Sequence, residues 1–260
     1  MSGRRRVGAG LLTALALAAL LLPMALPIDP LAQDLSHILG RPTLADPLGT
    51  DQLGRSMLAR LLLATRLSLA MAGLSVVSAA IPGILAGMLA AWRGGLTERL
   101  LVGLGDAVLS LPGLLLIILL AGFAPGHFWP LYVGLSLSQW VEYFRVTRAA
   151  SRSVLAGPQV EASRLLGFGP AYVIRRHLWP ELAPLLSTLM TFGASTAVLA
   201  LATLGFIGVG LRPPTAELGL MMIELLPHYA EAPWLIAAPV AVLMLTVLAL
   251  SMLTAREARA

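Results

Sequence analysis

Residues 160–180 read VEASRLLGFGPAYVIRRHLWP. The stretch is charged and twice broken by glycine, yet long apolar runs lie on both sides of it. Gly157-Pro158, just upstream, is a helix start, because proline at the first helical position gives up no hydrogen bond. Residues 158–166 supply two turns, and Gly167 suits the left-handed residue that closes a helix. Gly169-Pro170 repeats the start signal, so a second short helix is expected over 170–179, ending before Pro180. In this helix–glycine–helix unit, Tyr172, Val173, Leu178 and Trp179 are available to an interface, with Arg175 and Arg176 turned to phosphates or acidic groups. Two readings fit: an amphipathic hairpin resting on anionic lipid, or a rigid docking platform for a soluble partner.

The flanks place this unit in a membrane protein. Of 260 residues, 58% are apolar and only 12% charged, and the mean hydropathy is +0.85. A soluble domain needs about a quarter charged residues to cover its surface, so the apolar excess must face lipid. A spanning helix takes about 20 apolar residues. Runs of that kind occur at about 7–26, 67–91, 100–123, 129–146, 184–210 and 233–254, the fourth weakened near its end by Glu142 and Arg145. The expectation is an all-α, polytopic membrane protein with six transmembrane helices, forming a single transmembrane domain over 1–260.

Arginine placement orients it. With the N-terminus cytoplasmic, the inside segments hold Arg4, Arg5, Arg6, Arg93, Arg99, Arg145, Arg148, Arg152, Arg164, Arg175, Arg176, Arg256 and Arg259, against Arg41, Arg55, Arg60, Arg66 and Arg212 outside. This positive-inside bias puts both termini in the cytoplasm. It also accounts for the net charge of +5 without a nucleic-acid partner. The first run reads as a retained signal-anchor; a cleaved signal peptide is the alternative, against which stand its length and the lack of a small-x-small cleavage site. An external loop with an amphipathic helix fills 27–66. That helix is expected to start at the N-cap Thr50 or Asp51, to carry Leu53, Met57, Leu58, Leu61, Leu62 and Thr65 on its apolar face, and to lie on the outer membrane surface. Residues 147–183 form a cytoplasmic loop.

Two patterns mark the spans. Ala79, Gly83, Gly87 and Ala91 recur every four residues, a face on which another helix can approach closely. Thr188, Thr191 and Ser195, with Thr203 beyond, run down the fifth span; they either line a polar pathway or bond their own helix one turn back.

The absences exclude chemistry. All 18 basic residues are arginine, so no Walker A lysine exists, and with no cysteine there are no thiolate sites. HExxH and GxSxG are missing, and His37, His127, His177 and His228 all fall outside the expected spans. An ion-coupled secondary carrier, the rival class, keeps ionisable groups deep in the bilayer. Only Asp106 and Glu142 qualify, and Glu142 has Arg145 one turn on as a local ion-pair partner.

At these residues the chain resembles a family. EASRLLG followed by HLWP is similar to the EAA loop of binding-protein-dependent ABC importer permeases, Glu-Ala-Ala-x-x-x-Gly with a later hydrophobic-Pro ending. Glu161, Ala162, Gly167 and Pro180 match, and Ser163 stands for the second alanine. LGTDQLGRSMLARLLLATRLSL (48–69), Asp106 with LPGLLL (111–116), and LGFIGVGLRPPTAELGLMM (204–222) resemble successive segments of the dipeptide/oligopeptide/nickel branch, in the same order. Ser56 and Leu218 depart from the usual Asp and Trp, and the usual Asn-x-x-Gly-Asp tail is lacking. Ala64-Thr65-Arg66 and Pro214-Thr215-Ala216-Glu217 lean towards the nickel-type members.

The resemblance implies a type I ABC importer permease fold in a bacterial plasma (inner) membrane, not itself an enzyme. It implies a second homologous permease subunit, two ATP-binding cassette subunits and an extracytoplasmic solute-binding protein as partners. ATP and Mg belong to the ATPase chains, and this chain binds no cofactor or metal. The cargo would be short peptides or a nickel or metal chelate. The 147–183 loop becomes the ATPase-coupling element, with Glu161, Ala162, Ser163, Arg164, Gly167, Arg175, His177 and Pro180 as its residues, Arg164 and Arg175 offering ion pairs and Gly167 allowing close backbone approach.

Overall fold

The apolar runs fold as helices, even with Pro23, Pro82 and Pro239 inside them, because in lipid each backbone polar group must be bonded within its own segment. The computed structural model describes residues 3–25, 29–44 and 46–254. Its helices are α1 (Gly3–Ala25), α2 (Met57–Arg93), α3 (Gly95–Leu109), α4 (Gly113–Phe123), α5 (Phe128–Leu155), α6 (Pro158–Leu165), α7 (Pro170–Val173), α8 (Trp179–Phe206), α9 (Leu218–Leu225) and α10 (Pro233–Thr254). No strand occurs among the described residues. Pro27 and Ile28 of the expected external loop, and Arg256 and Arg259 of the orienting set, lie outside them.

By length and apolar composition four helices can cross a membrane: α1, α2, α10 and the rod running from Pro170 through Phe206. The third expected span, 100–123, is not continuous. It breaks into α3 and α4, bent by 76°, because Pro112 has no N–H and disfavours helical geometry at Leu111 before it. Together the pair is long and apolar enough for a fifth crossing if the two helices form one span.

The small-residue face of α2 meets α5. A Cβ built on Gly83 would fall 2.6 Å from the Trp140 carbonyl oxygen, and one on Gly87 2.7 Å from that of Phe144. Ala79 is fully buried and Ala91 partly so. The ladder therefore lets two backbones touch inside this subunit. Around it, Met71 and Ala72 of α2 pack with Ile117 and Ala121 of α4, Leu131 and Leu135 of α5, and Val198, Leu201 and Leu204 of α8.

The segment before α2 corrects one expectation. Helix α2 does not start at Thr50 or Asp51; it starts at Met57, after an extended Ser56. Asp51 is fully buried, and its carboxylate is occupied in a turn: it accepts the backbone N–H groups of Leu53 and Arg55, both at 2.9 Å, the Arg55 Nε at 2.7 Å and the Arg60 Nη1. Arg60 Nη2 in turn reaches Glu224 Oε2 of α9 at 2.7 Å. Nor does the first turn of α2 rest on a membrane surface. Met57, Leu61 and Ala64 are buried against Leu218, Met221 and Leu225 of α9 and Leu235 of α10.

Helix α9 is set by Glu217. Its carboxylate caps the helix, accepting from Gly219 N at 3.0 Å and Leu220 N at 2.8 Å. A Cβ on Gly219 would lie 1.8 Å from the Ala202 carbonyl oxygen, so α9 packs directly on the α8 backbone. Burial raises the Glu217 pKa from 4.5 to about 7, although the backbone N–H bonds oppose the shift. The folded state thus binds this proton more tightly than the unfolded state. The associated stability is present in full below pH 4.5 and is lost as pH rises through about 7. Thermal unfolding in detergent is expected to move to lower temperature across that window, and Glu217→Gln to remove that component of the pH slope. An unchanged slope in the variant overturns the assignment.

Candidate functional site

The 157–180 stretch folds into a two-helix platform. Gly157 is extended, Pro158 opens α6, and Gly167 closes it with φ +81°. The closure is a Schellman arrangement: Phe168 N donates to Ser163 O at 3.1 Å and Gly167 N to Arg164 O at 3.0 Å. A Cβ on Gly167 would meet nothing within 4 Å. The glycine is required by its left-handed backbone, as the helix-closing signal in the sequence indicates, and nothing within the chain approaches it closely.

The second arm does not end at Pro180. After α7 the chain makes one π-helical turn, Ile174–Leu178, in which Trp179 N donates to Ile174 O, and then continues as α8. Widening the helix before Pro180 accommodates the residue that has no N–H and whose ring crowds the preceding turn. Residues Pro170–Phe206 are therefore one rod of 37 residues, roughly 55 Å long at 1.5 Å per residue.

Side chains lock the arms together. Ser163, buried, donates its hydroxyl proton to Gln159 O at 3.0 Å and lies 2.9 Å from His177 Nε2 on the π turn. With the hydroxyl proton so used, the imidazole Nε2–H is the donor across the gap. At the tip, Phe168 and Tyr172 stack with ring centroids 4.1 Å apart. At the base, the Arg164 guanidinium sits 5.2 Å over the Trp92 ring near the end of α2, a cation–π contact. Leu178, Leu182 and Leu186 pack on Ile84, Met88 and Trp92 of α2 and on Ala150 and Val154 of α5.

Of the residues singled out by sequence, Glu161, Ala162, Arg164, Gly167, Arg175 and Pro180 are exposed, His177 is half-buried and Ser163 is buried. Val173 and Leu178, expected at an interface with another molecule, are instead buried, and Leu178 packs the platform onto its own bundle. The exposed apolar surface comes from Tyr172, Trp179, Ile174, Phe168 and two residues the sequence did not flag, Leu165 and Leu166, which are 83% and 76% exposed. An adjacent leucine pair just before a helix-closing glycine was the available signal.

The hydroxyl stripe of α8 is accounted for locally. Thr188 donates to Pro184 O, Thr191 to Ser187 O, Ser195 to Thr191 O and Thr203 to Leu199 O. The α5 charges differ from the sequence expectation. Arg145 does not pair with Glu142 on its own helix but with Asp106 of α3 at 2.6 Å, and Arg148 and Arg152 share Glu98 at 2.7 and 2.8 Å.

Residues 83–258 match the model for binding-protein-dependent transport system inner membrane components. The chain belongs to that family. This permease is 34% identical over 241 residues to the di/tripeptide transport system permease protein DppC of Pseudomonas aeruginosa, covering 90% of this chain and 80% of that one. It is 32% identical over 247 residues to the dipeptide transport system permease protein DppC of Haemophilus influenzae, covering 92% and 83%. Among solved structures, the inward-facing methionine ABC transporter MetNI aligns over 70% of this chain and 87% of that one, with a TM-score of 0.54 and 23% identity. That likeness is one of fold. The family makes the chain a transport subunit and a multi-pass membrane protein.

Proposed function

We propose that this chain is one of two homologous permease subunits of an ATP-driven importer of short peptides in a bacterial inner membrane. It works with two ATP-binding cassette subunits that hold ATP and Mg and with an extracytoplasmic solute-binding protein. The spans are α1, α2, the bent α3–α4 pair, α5, α8 and α10, with both termini cytoplasmic. Similarity to dipeptide and di/tripeptide permeases supports peptides over nickel chelates as cargo.

One observation carries this reading: the platform with its exposed Leu165–Leu166 tip is continuous with α8 through the π turn. A partner that grips α6 and α7 moves them as one body, because Ser163 of α6 meets His177 of the π turn, while Arg164 ties α6 to Trp92 of α2. That displacement reaches α8 without an intervening loop, as rigid-body switching requires. Glu161, Arg164 and Arg175 face outward, where ion pairs with the ATPase can form.

The test is recovery of the ATPase with the tagged permease. Substituting Leu165→Glu with Leu166→Glu removes a central apolar anchor of a kind worth about 2 kcal/mol or more, so recovery falls at least about tenfold. Gly167→Val forces a β-branched residue into the left-handed region, costing about 1–2 kcal/mol, and lowers recovery too. Gly167→Asn, which tolerates that geometry, keeps recovery within about twofold of wild type. Uptake by the purified permease with no ATPase present sinks the proposal and revives an ion-coupled carrier.

A further inference from the structure

Glu142 lies exposed on α5, and among the described residues it has no hydrogen bond or ion pair. Arg145, one turn away, is committed to Asp106 across the α3–α5 gap, and both side chains of that pair stay about half exposed, at 50% and 56%. Ser138, one turn the other way on the same face, bonds only its own helix, at Leu135 O. This face of α5 therefore carries a neutral ion pair beside one uncompensated carboxylate.

The depth of these groups gives the face its meaning. Tyr143, next to Glu142, packs against Gly83 of α2. Gly83 is ten residues from Arg93 and seventeen from Arg66, so it lies about 15 Å and about 25 Å along the helix from those two cations. Glu142 is thus within the span and in its inner half. A lone carboxylate facing lipid there costs at least about 2.5 kcal/mol, so such residues face water or a polar partner.

We propose that the Ser138–Glu142–Arg145 face of α5, with Asp106, lines the hydrated transport pathway, and that Glu142 contacts the ammonium group of the passing substrate. Asp106 and Arg145 cancel each other, leaving Glu142 to set a net negative charge. That charge selects a cationic end, as on the free amino terminus of a short peptide. The ligand class rests on the peptide-permease reading; the hydrated face does not.

The natural absence of cysteine from this chain makes the face directly testable. Ser138→Cys is placed in the assembled transporter in proteoliposomes. It is reacted with impermeant thiosulfonates, one cationic (trimethylammonioethyl) and one anionic (sulfonatoethyl), and modification is read as a mass shift of this chain. Met244→Cys, on the exposed face of α10, is the control. The Ser138→Cys protein is expected to react at least about tenfold faster than the control in one or more nucleotide states, with a preference for the cationic reagent that disappears when Glu142→Gln is added. Reaction no faster than the control in every nucleotide state overturns the pathway, showing the face covered by lipid or a neighbouring subunit. A charge preference unaffected by Glu142→Gln overturns the role of Glu142. Uptake of trialanine, with binding protein saturated, is expected to fall about tenfold in Glu142→Gln, the loss of one hydrogen bond to a charged group. Undiminished uptake overturns the ammonium contact. If wild type does not take up trialanine, the peptide reading fails, and the thiol rates still decide the hydrated face.

Discussion

Arg60→Met is expected to lower the stability of the solubilised protein by about 3–5 kcal/mol, the usual result of breaking a buried ion pair from one side. The arginine side chain is 1% exposed and is the cation shared by Asp51, fully buried, and Glu224 of α9. Removing it leaves Asp51 to Arg55 alone, and Glu224 with only the Arg55 Nη2 at 3.8 Å. The turn that starts α2 and the packing of α9 weaken together, because the Arg60 guanidinium joins them. Adding Asp51→Asn should recover more than half of the loss. The amide oxygen still accepts the Leu53 and Arg55 N–H groups, while one buried charge of each sign remains, Arg55 and Glu224. The measurement is the thermal midpoint of single and double variants. A double variant no more stable than Arg60→Met assigns the damage to lost packing rather than to an unpaired charge.

Gly87→Val should be comparably harmful for a steric reason. A Cβ at Gly87 would sit 2.7 Å from the Phe144 carbonyl oxygen and 2.8 Å from Thr147 Cβ. Neither neighbour is the movable end of a flexible side chain, so α2 and α5 must separate along their whole contact. Overpacking of this kind costs about 1–3 kcal/mol for small additions, and valine lies at the upper end. Gly83→Val meets the same obstacle at Trp140. Gly73→Ala is the contrast, since its Cβ would meet nothing within 4 Å, and its higher helix propensity makes it neutral or slightly stabilising. Folded yield and thermal midpoint should order Gly73→Ala above Gly87→Ala above Gly87→Val. Equal behaviour of the three excludes close helix contact at the ladder.

Much of the architecture was legible in residue order. A long apolar run has few structural options in lipid, because every backbone polar group must be bonded within the segment, so the runs read as helices. The Gly157-Pro158 and Gly167 signals were legible for the same local reason: proline fixes one backbone angle, and glycine alone takes the left-handed cap cheaply. The fourfold spacing of Ala79, Gly83, Gly87 and Ala91 announced a contact face without naming its partner. The α3–α4 bend was missed although Pro112 stood in the run, because continuous hydropathy outweighed the backbone signal. The continuation through Pro180 was missed for the opposite reason, since a proline reads as a stop unless the π turn before it is known.

The charged residues divide differently. Sequence spacing paired Glu142 with Arg145, the nearest opposite charge on one helix, whereas the fold brings Asp106 to Arg145 at 2.6 Å across 39 positions and leaves Glu142 alone. Asp51 read as a helix cap because local chemistry permits it, but two arginines and a turn claim its carboxylate. Likewise Val173 and Leu178 read as exposed anchors until packing turned them inward and left Leu165 and Leu166 at the tip. What the sequence determined by itself was the helical membrane class, the punctuation of the platform and the lack of lysine and cysteine. These depend on backbone satisfaction, proline and glycine geometry and residue inventory, all properties of neighbouring positions. Only the tertiary structure decided which charges pair, which apolar side chains remain outside and that the platform is one rod with α8. Those outcomes depend on distances between residues far apart in the chain, which packing sets and spacing does not encode.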